Sequence, residues 1–178
     1  MINSYTSWQP LKEVIVGKCF SGDYFDFVED KQVADQLGKI LDETEEDFNN
    51  LAKTIQAYVS TVHRPEIPNK GHFNNMRIAA GSPDAPPLTP RDSQITLGDK
   101  LLVCSPDWEL HDLLDKFEAD EEGSVIDPFN GSWSEDCVLN GANASCIVRV
   151  GKDIFVDNSE YLTEAHVNWI NKNVWHDK

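Results

Sequence analysis

Residue types capable of chemistry are sparse in this sequence, and few stand at a telling spacing. Thr89-Pro-Arg-Asp92 sets an acidic residue behind a proline-stiffened loop, just where a strand opens at Ser93-Gln-Ile-Thr-Leu97. Taken alone, Asp92 is a cap or turn residue at a strand start, and Arg91 is an ion-pairing partner for a neighbouring acid. Further on, Leu139-Asn-Gly-Ala-Asn143 offers two amides, and no acidic residue occurs from Leu139 to Arg149. Cys19, Cys104, Cys137 and Cys146 show neither a C-x-x-C spacing nor paired histidines, which argues against a metal site. Cys104, Cys137 and Cys146 read as buried apolar side chains, and Cys19, shortly after Gly17, as a more exposed one. His63, His72, His111, His166 and His176 are scattered. His63 and His72 flank a proline-rich loop with no partner in view, and His166 falls on the surface or interface of a last helix. No residue qualifies as nucleophile or base, and no cofactor is called for. Trp8, Trp133, Trp169 and Trp175 read as core or interface anchors rather than a stacking platform.

These residues belong to a chain of 178 with 40% hydrophobic content and five tryptophans, enough for a real core. Its formal charge is −16, from 31 acidic and 15 basic residues. Such a field repels phosphate backbones and anionic membranes, so neither nucleic acid nor a membrane is an expected partner. The same field favours cationic ligands, a guanidinium among them, although solubility or a salty habitat is the plainer account of the charge. Met1-Ile-Asn-Ser shows no basic region followed by an apolar run, and no stretch has the apolar length of a membrane span. A cytoplasmic protein with reduced thiols is expected.

The elements that must position these groups follow from periodicity and punctuation. Leu11 to Gly17 is a short apolar run closed by glycine and reads as a buried strand. Thr44-Glu-Glu-Asp47 has the form of a capping box, and Phe48, Leu51, Ile55 and Tyr58 follow at helical spacing. This predicts a helix over 44–59, with an earlier turn over 33–41. Ser60 to Pro65 reads as the next strand, and the prolines between 65 and 90 exclude a regular element there. Apolar runs on either side of Gly98-Asp99 predict a hairpin, and Cys146–Val150 with Ile154–Val156 around Gly151-Lys152-Asp153 predict another. Residues 107–117 fit a short helix, and Thr163 caps a last one carrying Val167, Ile170 and Val174. Hairpin plus helix therefore recurs, as in a modular fold.

The ordered set Ser7-Trp-Gln-Pro-Leu-Lys-Glu-Val-Ile-Val-Gly17, Val62-His-Arg-Pro65, Pro90-Arg-Asp92, Leu139-Asn-Gly-Ala-Asn143 and Arg149-Val-Gly-Lys-Asp-Ile-Phe-Val156, reaching Trp169, resembles the amidinotransferases. These are guanidine-modifying enzymes of the glycine and inosamine-phosphate amidinotransferase type. The resemblance implies an α/β fold, a pentein-like α/β propeller of ββαβ modules, of which this chain supplies about half the ring. As one domain it would hold modules over approximately 7–90, 91–135 and 136–178. In the family a cysteine attacks the guanidinium carbon of arginine, a histidine held by an acid shuttles protons, and an acceptor amine such as glycine takes the amidino group. The resemblance puts Asp92, with Arg91 beside it, at the guanidinium-binding aspartate. Asn140 falls on the catalytic acid and Asn143 on a later position, so amides stand where a carboxylate is wanted. The family's cysteine and histidine segments have no counterpart in these residues. The expectation is a truncated amidinotransferase, inactive alone and completed by a complementary C-terminal chain. The alternatives are a guanidino-binding or regulatory module, and a structural module that self-associates as a homo-oligomer.

Overall fold

The computed structural model describes residues 4–6, 8–67, 86–104, 125–126, 142–157 and 162–173. Helix and strand are mixed, in keeping with the α/β class, and the chain divides into two compact units, Leu11–Leu88 and Met1–Pro10 with Thr89–Lys178.

The Leu11–Leu88 unit is a strand–helix–strand arrangement. Strand β1 (Glu13–Ile15) pairs in parallel with β2 (Thr61–His63), with Glu13 opposite Thr61 and Ile15 opposite His63. Parallel neighbours need a long crossover, and α1 (Lys31–Gln56) supplies it. The expected buried strand over 11–17 is thus shorter, although Val16 and Gly17 just beyond it are buried.

Helix α1 begins well before the predicted start. Its cap is Asp30, whose carboxylate accepts from the backbone N–H groups of Gln32 at 3.0 Å and Val33 at 3.2 Å. Thr44, the expected cap, lies inside the helix and donates its hydroxyl to the carbonyl of Ile40 at 2.7 Å. The reason is that the inward stripe of Phe48, Ala52 and Ile55 extends back through Leu41 and Ala34, so one continuous helix is favoured. Gly38 is the buried residue of this helix, because the carbonyl of Gly22 crosses directly over it. Gly22 belongs to a 3-10 turn (Gly22–Phe25) tied to α1 by its N–H, which donates to Asp42 Oδ1 at 3.0 Å. Behind this turn Phe20 stacks on Tyr24 with ring centroids 4.4 Å apart, and Phe25, Leu41 and Ile67 close a small core.

Among the described residues the second unit holds two hairpins. Strands β3 (Gln94–Leu97) and β4 (Lys100–Val103) are antiparallel, with Ile95 opposite Leu102, and β5 (Val125–Ile126) joins β4 in parallel. Strands β6 (Ile147–Val150) and β7 (Asp153–Val156) form the second hairpin. Both hairpins lie where the sequence predicts them, and each turn pivots on a glycine in the left-handed region, Gly98 at φ 69° and Gly151 at φ 62°. The chain start stitches the two turns together. Ser4 exchanges backbone hydrogen bonds with Gly98 at 2.8 Å each way, and the Gly151 N–H donates to the Tyr5 carbonyl at 2.7 Å. Arg149 lies over the Tyr5 ring, 4.8 Å from its centroid. The core of this unit gathers Ile95, Leu97, Leu102, Cys104, Ile147 and Ile170.

Helix α3 (Glu164–Asn173) starts after Thr163, as expected, but His166 is buried rather than on the surface. Its Nδ1 accepts from the Thr163 N–H at 3.1 Å while Thr163 Oγ1 accepts from the His166 N–H at 3.5 Å. This is a reciprocal cap with histidine in the place usual for Glu or Gln. Trp8 is 71% exposed, so it is no core anchor. The helix expected over 107–117, and His72, His111, Trp133, Cys137, Trp175 and His176, lie outside the described residues.

Candidate functional site

Asp92 is presented by a single helical turn, α2 (Pro90–Ser93), ahead of β3. Proline is suited to the first turn of a helix, since its fixed φ fits there and its missing N–H is no loss. The Asp92 N–H donates to the Thr89 carbonyl at 2.9 Å, and Thr89 Oγ1 donates to Asp92 Oδ2 at 2.7 Å. One carboxylate oxygen is therefore engaged, and Oδ1 has no hydrogen bond among the described residues. The Asp92 side chain is half-buried, sheltered enough to strengthen a hydrogen bond and open enough to receive a ligand.

Among the described residues Arg91 forms no ion pair with an acid, which corrects the sequence expectation. Its guanidinium donates to the backbone carbonyls of Ala144 and Ile147. These carbonyls bracket a 3-10 turn (Ala144–Cys146) capped by Asn143, whose Oδ1 accepts from the Ser145 N–H at 2.8 Å and the Ser145 hydroxyl at 2.6 Å. One side chain thus ties the Pro90-Arg-Asp92 turn to the turn that follows Asn143. Burial lowers the Arg91 pKa from its usual value, while the neighbouring Cys104, Asp92 and Cys146 pull it upward. Asn140 lies outside the described residues. Asn143 is spent on local capping and offers no charge to a base.

The Cys104 thiol near this turn is not poised as a nucleophile. Cys104 is fully buried, and burial pushes its thiol up to about 12, against the opposing pull of Arg91. Cys146 ends the 3-10 turn instead of opening β6, and is half-buried. In the other unit Cys19 is 3% exposed, contrary to expectation, and its N–H donates to Glu45 Oε2 at 2.8 Å. Burial raises its pKa as well, with Glu45 and Asp42 adding to the effect.

Residue spacing offers no hint of a partner for His63. In the Leu11–Leu88 unit its Nε2 lies 2.8 Å from Glu13 Oε2, a pairing set by the parallel register of β1 and β2. The hydrogen bond from His63 lowers the Glu13 pKa from 4.5. A carboxyl depressed in the folded state stabilises the fold above its unfolded pKa, and that contribution is lost as the pH falls through the folded value. The stability gap between the wild type and Glu13→Gln is therefore expected to be full at pH 6 and to narrow below pH 4.5, as measured by urea midpoints at each pH. A gap constant from pH 6 to pH 3 would mean that the pair contributes nothing.

Among the described residues no group of three or more His, Cys, Asp or Glu side chains could hold a metal ion, and no helix is long and apolar enough to cross a membrane.

No family model matches the sequence, and no curated protein matches it. Solved structures do. The inosamine-phosphate amidinotransferase of Streptomyces griseus aligns with 99% of this chain at 20% identity and a TM-score of 0.64. An amidinotransferase from Microseira wollei, of the saxitoxin biosynthetic pathway, aligns with 96% at 17% identity and a TM-score of 0.64. The chain spans 60% and 58% of the lengths of these two proteins. It shares their fold along nearly all of its own length.

Proposed function

We propose that this chain is an amidinotransferase-like protein that grips a guanidinium cation through Asp92 and does not transfer the amidino group unaided. The observation that carries the reading is the Asp92 turn: a half-buried carboxylate with one oxygen anchored by Thr89 and the other open, within a chain that follows an amidinotransferase fold over 99% of its length. A planar cation with several N–H donors suits such an acceptor. In this reading the chain contributes part of an α/β propeller, about half of the ring, with modules near 7–90, 91–135 and 136–178. Arg91 fixes the turn that carries Asp92 to the turn that carries Asn143.

The reaction would be transfer of an amidino group from arginine to an acceptor amine such as glycine. A thiolate would attack the guanidinium carbon, the carbon–nitrogen bond to ornithine would break, and an imidazole would protonate the departing amine. Burial raises the pKa of the Cys19 and Cys104 thiols, which opposes the first role, and in this reading a complementary polypeptide segment supplies the nucleophile. Asn143, a neutral amide committed to Ser145, favours a second reading: a guanidino-binding or regulatory module that associates with itself or with a complete enzyme.

Calorimetry with L-arginine tests the common premise. Asp92→Ala is expected to weaken binding at least about tenfold, the effect of losing roughly 1.4 kcal/mol of charge-assisted hydrogen bonding. Equal heats from the wild type and Asp92→Ala would remove Asp92 from the site. Ornithine release by the purified chain alone would overturn the claim that it needs a partner segment.

A further inference from the structure

We propose that Gln94 is a further ligand-binding residue of the Asp92 site, its amide meeting a guanidino amino acid; the proposal rests on the reading above. Gln94 is 4% exposed, and neither its Oε1 nor its Nε2 has a hydrogen-bond partner among the described residues. Buried amides are almost always paired, because an orphaned donor or acceptor forfeits its hydration without return. Here both ends of one side chain are orphaned. Its cross-strand neighbour is Val103, itself 2% exposed, so a leucine would suit the same environment better. Nothing among the described residues uses an amide at this position, whereas a ligand would.

Its place in the chain says which ligand. Gln94 is the first residue of β3, and its backbone N–H donates to the Pro90 carbonyl, closing the helical turn that presents Asp92. The carboxylate and the amide leave the backbone two residues apart. Arg91 between Pro90 and Asp92 is committed to carbonyls and does not occupy either group. The chain then offers Asp92 Oδ1 and Gln94 Oε1 as acceptors, with Gln94 Nε2 as a donor. A ligand that matches must bring N–H donors and an oxygen acceptor together. A guanidino amino acid carries both, whereas a bare metal cation has no N–H and a nucleotide phosphate would meet Asp92 as a like charge.

The test compares the wild-type chain, Asp92→Ala and Gln94→Leu, using L-arginine as the probe, with thermal melts taken without ligand and affinities from calorimetry. Gln94→Leu is expected to melt higher than the wild type without ligand and to bind arginine at least about tenfold more weakly. Should the leucine variant fail to fold, Gln94→Met keeps the volume and makes the same comparison. Affinity within twofold of the wild type for the folded variant would overturn the proposal. A lower melting point would overturn it too, by showing the amide to be paired within the fold. If the wild type binds and Asp92→Ala does not, while Gln94→Leu binds normally, Gln94 alone drops out. If the wild type takes up no arginine, the guanidino reading and the role of Gln94 fall together.

Discussion

Arg91→Ala is expected to lose about 2–3 kcal/mol of folding stability, read as a lowered urea midpoint and a melting point down by roughly 5–10 °C. The reasoning starts from the acceptors. The carbonyls of Ala144 and Ile147 flank the 3-10 turn, and one guanidinium satisfies both. Charge-assisted hydrogen bonds are worth more than neutral ones, and truncating the donor leaves sheltered carbonyls without it. Desolvation of the Arg91 cation, the main reason for its lowered pKa, opposes this gain, so the expectation stays well below the sum of two full bonds. Arg91→Lys should restore less than half of the loss, since a single ammonium lacks the fork that spans two carbonyls. The consequence extends to the proposed arginine site: on that reading Arg91→Ala also weakens arginine binding, by loosening the turn that carries Asp92. An unchanged urea midpoint in Arg91→Ala would show that the two turns hold their places independently.

What the sequence made legible was local. Each hairpin announced itself by apolar runs around a glycine-containing turn, and both glycines adopt the left-handed backbone that such a turn requires. The cap of the last helix at Thr163 was equally visible. The start of α1 was not, because Thr44 mimics a cap. A threonine can satisfy its hydroxyl on the carbonyl one turn earlier and remain in mid-helix, whereas the true cap, Asp30, has Val33 where the capping-box pattern wants Glu or Gln. Non-local pairings stayed hidden for a different reason. Glu13 meets His63 only because β1 and β2 align in parallel, and no spacing within the chain encodes that register. Arg91 bonds to backbone carbonyls, acceptors that every residue carries and that leave no mark in the sequence. The motif resemblance only singled out Asp92 as an expected guanidinium-binding residue, while its anchoring by Thr89 and the orphaned amide of Gln94 needed coordinates.

Gly17→Ala is expected to be the most damaging single-methyl change in the Leu11–Leu88 unit, at about 2–3 kcal/mol. A Cβ at Gly17 would collide with the Leu88 carbonyl oxygen and come within 2.6 Å of the Leu88 carbonyl carbon and 2.7 Å of the Pro87 oxygen. All three are backbone atoms, so no side chain can rotate away. The flanking residues resist a shift as well. The Val16 N–H donates to His63 at 3.0 Å, and the Lys18 N–H donates to Pro87 at 3.1 Å. Moving the 87–88 backbone aside would break the second of these bonds, and moving Gly17 would strain both. Against this, alanine restricts the unfolded chain and returns roughly 0.4–1 kcal/mol, too little to reverse the sign. Gly151→Ala separates crowding from conformation. Gly151 has a φ of 62°, but a methyl added there would meet nothing within 4 Å, so the change should cost only the left-handed penalty of about 1 kcal/mol. Urea titrations that ranked Gly151→Ala as the worse of the two would show that the Pro87–Leu88 backbone yields to the methyl, and that the tight passage beside Gly17 does not constrain the fold.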